Sequence, residues 1–230
     1  GFPCFHEFQV GGLSLMPVNG EVITTPGLLE NPEAGWRSSF DKETEQARPG
    51  YYSVVLKDYD VKAELTADRL LRRTSRGDNE IYVVTANEAP NVMREIGRLR
   101  EIAFRAAGGG TGMSMDIDEY DMMPNPYKQL IVWNPEAEEI LGGYRYLFGD
   151  ETVFDEHGKP VLATAHMFNF SEKFLKEYLP NTVELGRSFV TLEYQSSRAG
   201  AKGLFALDNL WDGLGALTVI KPNVKYFFGK

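Results

Sequence analysis

The sequence predicts an α/β (α+β) fold: a mixed sheet flanked by helices, preceded by a β-rich segment. Three observations predict it. From residue 80 onward, strand-like and helix-like runs follow as strand, helix, loop, hairpin, helix, strand, helix, strand. Residues 1–67 instead hold short strand candidates broken by Gly, Pro and Asn turns. The texture changes near residue 68, dividing the chain into a 1–67 segment and a 68–230 domain.

In the first segment, Phe8–Val10, Leu13–Pro17 and Glu21–Thr25 read as strands around the turn pairs Gly11-Gly12 and Asn19-Gly20. Tyr51–Leu56 reads as another strand, and Val61–Leu65 alternates like one. Arg69, Arg72, Arg73 and Arg76 then form a basic run ending at an Arg-Gly-Asp turn. Its plain reading is a solvated face; its functional reading is a contact for an acidic carrier protein or a lipid headgroup.

Glu80–Ala86 is a β-branched strand. Asn87 is placed to cap the next helix, with Pro90 in its first turn. Val92, Met93, Ile96, Leu99, Ile102 and Ala103 share one face of that helix, and Gly108-Gly109-Gly110 ends it. Gln129–Trp133 and Ile140–Leu147 form a hairpin across residues 134–138. Ser171 caps a short helix, Glu172–Tyr178. Thr182–Leu192 is the most apolar strand. A second long helix presents Leu207, Leu210, Trp211, Leu214 and Leu217 on one face, and Val224–Phe228 is the last strand.

The 230 residues have room for one or two domains, and 43% hydrophobic content supplies a core. A net charge of −9 argues against general nucleic-acid binding. No apolar run reaches the ~18 residues that span a bilayer, and the first residues do not resemble a signal peptide. A cytoplasmic protein is expected. The lone Cys4 makes no internal disulfide, and His6, His157 and His166 show no metal spacing, so no metal site is expected. His166 reads as a partly buried histidine. GGGTGMS at 108–114 follows a helix, which disfavours a phosphate cradle.

The chemistry concentrates at Met115–Asp121, where Asp116, Asp118, Glu119 and Asp121 crowd within six residues. Its plain reading is a solvated acidic loop. Arg145 and Arg187, however, sit inside apolar strand-like runs, and a buried arginine needs an acid partner. One ionic cluster joining a loop, a helix and two strands closes both requirements.

Arg100-x-x-x-Phe104, Asp116-x-Asp118-x-x-Asp121, Gly-x-Arg145 and Glu184-x-x-Arg187, in that order, resemble the acyl-homoserine-lactone synthases. They are still more similar to the hemolysin-like N-acyltransferases that make ornithine and glycine lipids; both groups belong to the GNAT superfamily. The resemblance covers about 68–230. It implies an N-acyltransferase moving a long-chain (3-hydroxy)acyl group from acyl carrier protein, or from acyl-CoA, to the amine of an amino acid. No tightly bound cofactor is implied, and a peripheral membrane contact fits a lipid product.

The resemblance also implies site residues. Glu184 and Asp118 are the catalytic candidates, with Glu184 as base or base-orienting group. Arg100, Phe104, Asp116, Asp121, Arg145 and Arg187 build the substrate pocket. Ser188, Phe189 and Val190 run beside the donor's pantetheine arm where the fourth and fifth strands of the fold diverge. Arg198 and Gly200, in the turn before the last helix, suit its phosphate. Glu184 and Arg187 point to opposite faces of a regular strand, so a shared role needs a bulge. The family pattern continues past its fifth strand, so the fold reads as truncated.

HEFQVGGLSLMPVNGE and NPEAGWRSSFDKETEQARPGYYSVVLKDYDVKAELTA resemble part of the N-terminal β-sandwich of family 92 glycoside hydrolases, which are calcium-dependent exo-α-mannosidases. That family's catalytic acids and calcium ligands lie mainly in a later domain, so no mannosidase residue is carried over. Two alternatives follow. One is a sandwich fragment with Trp36, Tyr51 and Tyr52 on a concave face. The other is a non-catalytic fusion of two partial domains, joined near Val61–Asp68.

Overall fold

The computed structural model describes residues 60–195 and 201–230, with side chains from 205 onward in the second stretch, and the backbone of five short strands before residue 60. Two compact units divide the chain: Gly1–Asp60 with Arg98–Asp116, and Val61–Gly97 with Ile117–Lys230.

In the first unit, His6–Val10 pairs antiparallel with both Leu13–Ser14 and Trp36–Ser38, and Phe40–Asp41 pairs with Gln46–Ala47. The expected strands Glu21–Thr25 and Tyr51–Leu56, and the side chains of Cys4, Trp36, Tyr51 and Tyr52, lie outside the described residues. The Gly-rich loop after Ala106 wraps an acid of its own helix. Buried Glu101 accepts from the Thr111 amide and hydroxyl at 2.9 and 2.7 Å and from the Gly112 amide at 3.0 Å. Burial raises the Glu101 carboxyl, but bonds from Thr111, Arg105 and Gly112 outweigh it and hold the carboxyl low.

The second unit is a six-stranded sheet in chain order. Its strands are β1 (Leu70–Arg73), β2 (Glu80–Val84), β3 (Lys128–Asn134), β4 (Glu139–Phe148), β5 (Thr182–Val190) and β6 (Tyr226–Gly229). Neighbours run antiparallel except β5 and β6, which are parallel. A parallel pair needs a crossover, and the helix Ala201–Ile220 lies between them in the chain. β1 is an edge strand that sequence reading missed, because its basic residues do not alternate with apolar ones. Exposed Arg72 and Arg73 suit an edge. With β1 in place, the expected fourth and fifth strands are β5 and β6.

Among the described residues the α-helices are α1 (Val61–Glu64), α2 (Pro90–Ala106), α3 (Glu119–Met122) and α4 (Ala201–Ile220). The expected strand at Val61–Leu65 is therefore a helical turn. Asn87 does not cap α2. The Glu64 carboxylate does, accepting from the amides of Asn91 and Val92 at 3.1 and 2.9 Å. A carboxylate from a distant turn satisfies the free amides and complements the helix dipole.

α4 packs on one face of the sheet. Ala206, Leu210, Leu214 and Leu217 bury against Ile81, Leu130, Val132, Tyr146, Phe148 and Val183. Leu207 and Trp211 were expected on the same face but are 51% and 68% exposed. They stand ~60° and ~100° round the helix from Leu210, beyond the arc the sheet covers. The opposite face carries Tyr127, Leu147, Leu162 and Leu179, and with them the ionisable cluster. His166 is exposed rather than partly buried.

Candidate active site

Asp118 is the N-cap of α3. Its Oδ1 accepts from the amides of Tyr120 and Asp121 at 3.0 and 3.3 Å, and Asp121 Oδ2 accepts the Asp118 amide at 3.1 Å. This reciprocal box needs two acids three residues apart, which the sequence has. Asp116 and Asp121 are buried and only Glu119 faces solvent, so the stretch is not a solvated loop.

Arg145 enters from β4 with 3% of its side chain exposed. Its Nη1 lies 2.5 Å from Asp118 Oδ1 and 3.3 Å from Asp121 Oδ2. Gln129 donates to the other Asp121 oxygen at 2.9 Å. The guanidinium sits 5.6 Å from the Tyr120 ring centre and 5.3 Å from that of Tyr127. Burial lowers the Arg145 pKa, but Asp121 and Asp118 raise it further, so the charge is retained.

β5 then departs from regularity. Gly186 pairs with Arg145 but Phe189 pairs with Gly143, so three steps on β5 cover two on β4. Arg187 takes φ +48°, in the left-handed region. This is a β-bulge, and its extra residue brings Arg187 to the face of Glu184. Arg187 Nη2 reaches Asp118 Oδ2 at 3.2 Å. Burial raises the Asp118 carboxyl, while Arg145 first and Arg187 second lower it; the net direction is down.

Glu184 is 1% exposed. One carboxylate oxygen accepts from the Tyr127 hydroxyl, and the other accepts the Thr164 amide at 2.8 Å. The Tyr127 hydroxyl accepts the Ala163 amide at 2.9 Å. Burial, then the charge of Glu184, pushes the Tyr127 phenol far up, so it remains a protonated donor.

The structure thus gathers Asp118, Asp121, Arg145, Glu184 and Arg187 in one unit. Phe189 is buried on β5, Val190 is half-buried, and Ser188 is exposed at the bulge. β6 pairs with Thr182–Leu185. Arg100, Phe104 and Asp116 belong to the first unit; Arg100 and Asp116 are buried and Phe104 half-buried. Arg198 and Gly200 lie outside the described residues. Sequence reading missed Tyr127, Gln129 and the 163–164 turn. Gln129, a polar residue in an otherwise apolar strand, was the available signal. No group of three or more His, Cys, Asp or Glu suited to a metal occurs among the described residues.

A mixed sheet with a parallel last pair and this cluster on one face is GNAT-like. Residues 99–203 match the family model described as Acetyltransferase (GNAT) domain. Residues 1–71 match the Glycosyl hydrolase family 92 N-terminal domain. Over 170 residues the chain is 84% identical to a glycine N(alpha)-acyltransferase of Phocaeicola vulgatus, covering 74% of this chain and 52% of that protein. It is 78% identical over 170 residues to a glycine N(alpha)-acyltransferase of Bacteroides thetaiotaomicron, covering 74% of this chain and 50% of that one. The chain spans about half the length of the curated relatives it matches. No solved structure matches.

Proposed function

We propose that the 68–230 domain is an N-acyltransferase that moves a long-chain (3-hydroxy)acyl group from a carrier-protein thioester, or from acyl-CoA, to the amine of glycine. The observation that carries this reading is the bulge-aligned cluster of Glu184, Arg187, Arg145 and Asp118 on one sheet face. Glycine as acceptor is supported by the activity named for the two relatives.

In this reading the neutral amine attacks the thioester carbonyl carbon. The C–N bond forms, the C–S bond breaks, and the amine's proton passes to a base. Glu184 takes that proton through water, because two of the carboxylate's four lone-pair sites remain after Tyr127 and Thr164 are served. Asp118, held low by its arginines, is a weak proton acceptor, and its role is to fix Arg145 and Arg187. Arg187, with 36% of its side chain exposed, meets the acceptor's carboxylate. Asp121 shapes the acceptor side, and Ser188–Val190 line the donor arm. Arg198 and Gly200 suit the donor's phosphate. With a carrier-protein thioester as donor, the partner is acyl carrier protein. A cytoplasmic protein with a peripheral membrane contact fits an N-acyl amino acid product. No helix among the described residues is long and apolar enough to cross a bilayer.

The test is acylation of a panel of amino acids, glycine included, by long-chain 3-hydroxyacyl carrier protein and by the matching CoA ester. Amide formed on glycine supports the reading. No amide with any donor and acceptor overturns it. The match over residues 1–71 supports a second reading confined to that segment, part of a carbohydrate-binding sandwich. Mannoside binding by the full chain tests it.

A further inference from the structure

We infer that Tyr127 is a positioning residue for the acyl transfer, holding Glu184 through its hydroxyl and tying the Ala163–Thr164 turn to the same carboxylate. This rests on the acyltransferase reading above. Tyr127 precedes β3 and shares the sheet face of Gln129, Arg145 and Glu184. Its hydroxyl makes two bonds with different consequences. It donates to one oxygen of Glu184 and accepts the Ala163 amide. The next amide, Thr164, donates to the other oxygen of Glu184. Tyr127, Glu184 and the turn therefore form one closed unit with every bond directional. Both oxygens of a side chain on β5 are fixed by groups that are not on β5.

The surroundings make this unit rigid. Tyr127 is 1% exposed and Glu184 equally so, so both side chains are enclosed by protein. The Tyr120 ring meets the Tyr127 ring edge-on at 5.7 Å. Arg145, itself held by Asp118 and Asp121, lies over the Tyr127 ring. The charged and titratable groups on the face of the Glu184–Tyr127 pair are Arg145 from β4, Asp118, Tyr120 and Asp121 at α3, and Arg187 from the β5 bulge. A general base must be held in a fixed direction to take a proton efficiently. Thr164 supplies one backbone bond, but a single bond leaves the carboxylate free to swing. The Tyr127 hydroxyl removes that freedom.

The test is a double-mutant cycle of Tyr127→Phe and Glu184→Gln, read by steady-state acyl transfer to glycine and by thermal melting. Tyr127→Phe keeps the ring against Arg145 and removes the hydroxyl alone. The expected loss in kcat is about 10- to 100-fold, smaller than the ~10²–10⁴ of losing a base outright. KM for glycine is expected to change less than about threefold. Combined with Glu184→Gln, Tyr127→Phe should add no further loss, because its route to the reaction runs through Glu184. An equal loss on top of Glu184→Gln, or a lower Tm with normal turnover by the folded fraction, overturns the inference. Should Tyr127→Phe fail to fold, Tyr127→3-fluorotyrosine keeps the shape and makes the hydroxyl a stronger donor. It is then expected to change kcat in the parent and leave it unchanged beside Glu184→Gln, and an equal change in both overturns the inference.

Absence of acyl transfer by the parent chain would defeat the functional reading but not this tie, which melting reads separately. An ionised carboxylate accepts the Tyr127 hydrogen bond more strongly than a neutral amide does. The melting deficit of Tyr127→Phe should therefore be smaller beside Glu184→Gln than in the parent, and an equal deficit in both overturns the tie.

Discussion

Glu184 and Arg187 stand three residues apart on β5, and one extra residue in the strand turns both to the same face of the sheet. Without the bulge, Arg187 would point toward the α4 side, where the core cluster is apolar. The pair thus depends on a backbone irregularity, and the irregularity has a measurable signature.

That signature is the left-handed conformation of Arg187. Arg187→Ala and Arg187→Gly remove the same guanidinium, but alanine keeps a Cβ where φ is positive. Left-handed strain of about 1–2 kcal/mol outweighs the ~0.5–1 kcal/mol entropy cost of glycine. Arg187→Gly should be the more stable variant by up to about 1.5 kcal/mol. Thermal melting of the two variants side by side checks this, and a higher Tm for Arg187→Ala would contradict the bulge.

Glu184→Gln should cost acyl transfer about 10²–10⁴-fold, more than its effect on Tm accounts for. Glutamine's oxygen accepts the Thr164 amide, and its NH₂ donates to the Tyr127 hydroxyl, which already accepts the Ala163 amide. The phenol proton then loses its acceptor, a defect of about 1–3 kcal/mol that lowers Tm without emptying the folded state. Single-turnover acylation and melting of the same sample separate the two effects.

Asp118 links stability to pH. Its carboxyl lies below the ordinary 3.8, since the arginines outweigh burial. A folded-state value below the unfolded one contributes stability that is complete above the unfolded value. That contribution is lost as pH falls through the folded value. Tm should decline as pH drops from about 4 toward 2. Asp118→Asn should flatten the decline while preserving the α3 cap, because asparagine caps as well as aspartate. An unchanged slope would show that the acid sensitivity lies elsewhere.

Two glycines of α4 should respond with opposite signs. A Cβ at Gly215 meets nothing within 4 Å, so Gly215→Ala should stabilise by about 1 kcal/mol through helix propensity. A Cβ at Gly213 would lie 2.7 Å from Leu130 Cδ2 in the core. There overpacking of about 1–3 kcal/mol exceeds the propensity gain, and Gly213→Ala should destabilise. Denaturant midpoints of the two variants test how closely α4 seats on the sheet.

The residues by themselves carried much of this fold. The β3–β4 hairpin, the apolar β5 and the two long helices are local patterns of period and turn chemistry, and they appear within a few residues of where the pattern places them. The need of Arg145 and Arg187 for acids was legible for the same reason: each stands in an apolar run, and the desolvation of an unpaired guanidinium is too costly to leave unanswered. Tertiary structure decided the rest. α1 forms where alternation predicted a strand, and its Glu64 caps α2 from a distance in place of Asn87. The bulge at Arg187 exists only in register with β4. Tyr127, Thr164 and Glu184 meet only because separate segments fold onto one sheet face. Periodicity and local chemistry act over a few residues and can be read along the chain. A register shift or a shared hydrogen bond between distant segments is a property of the pairing, and no single segment carries it.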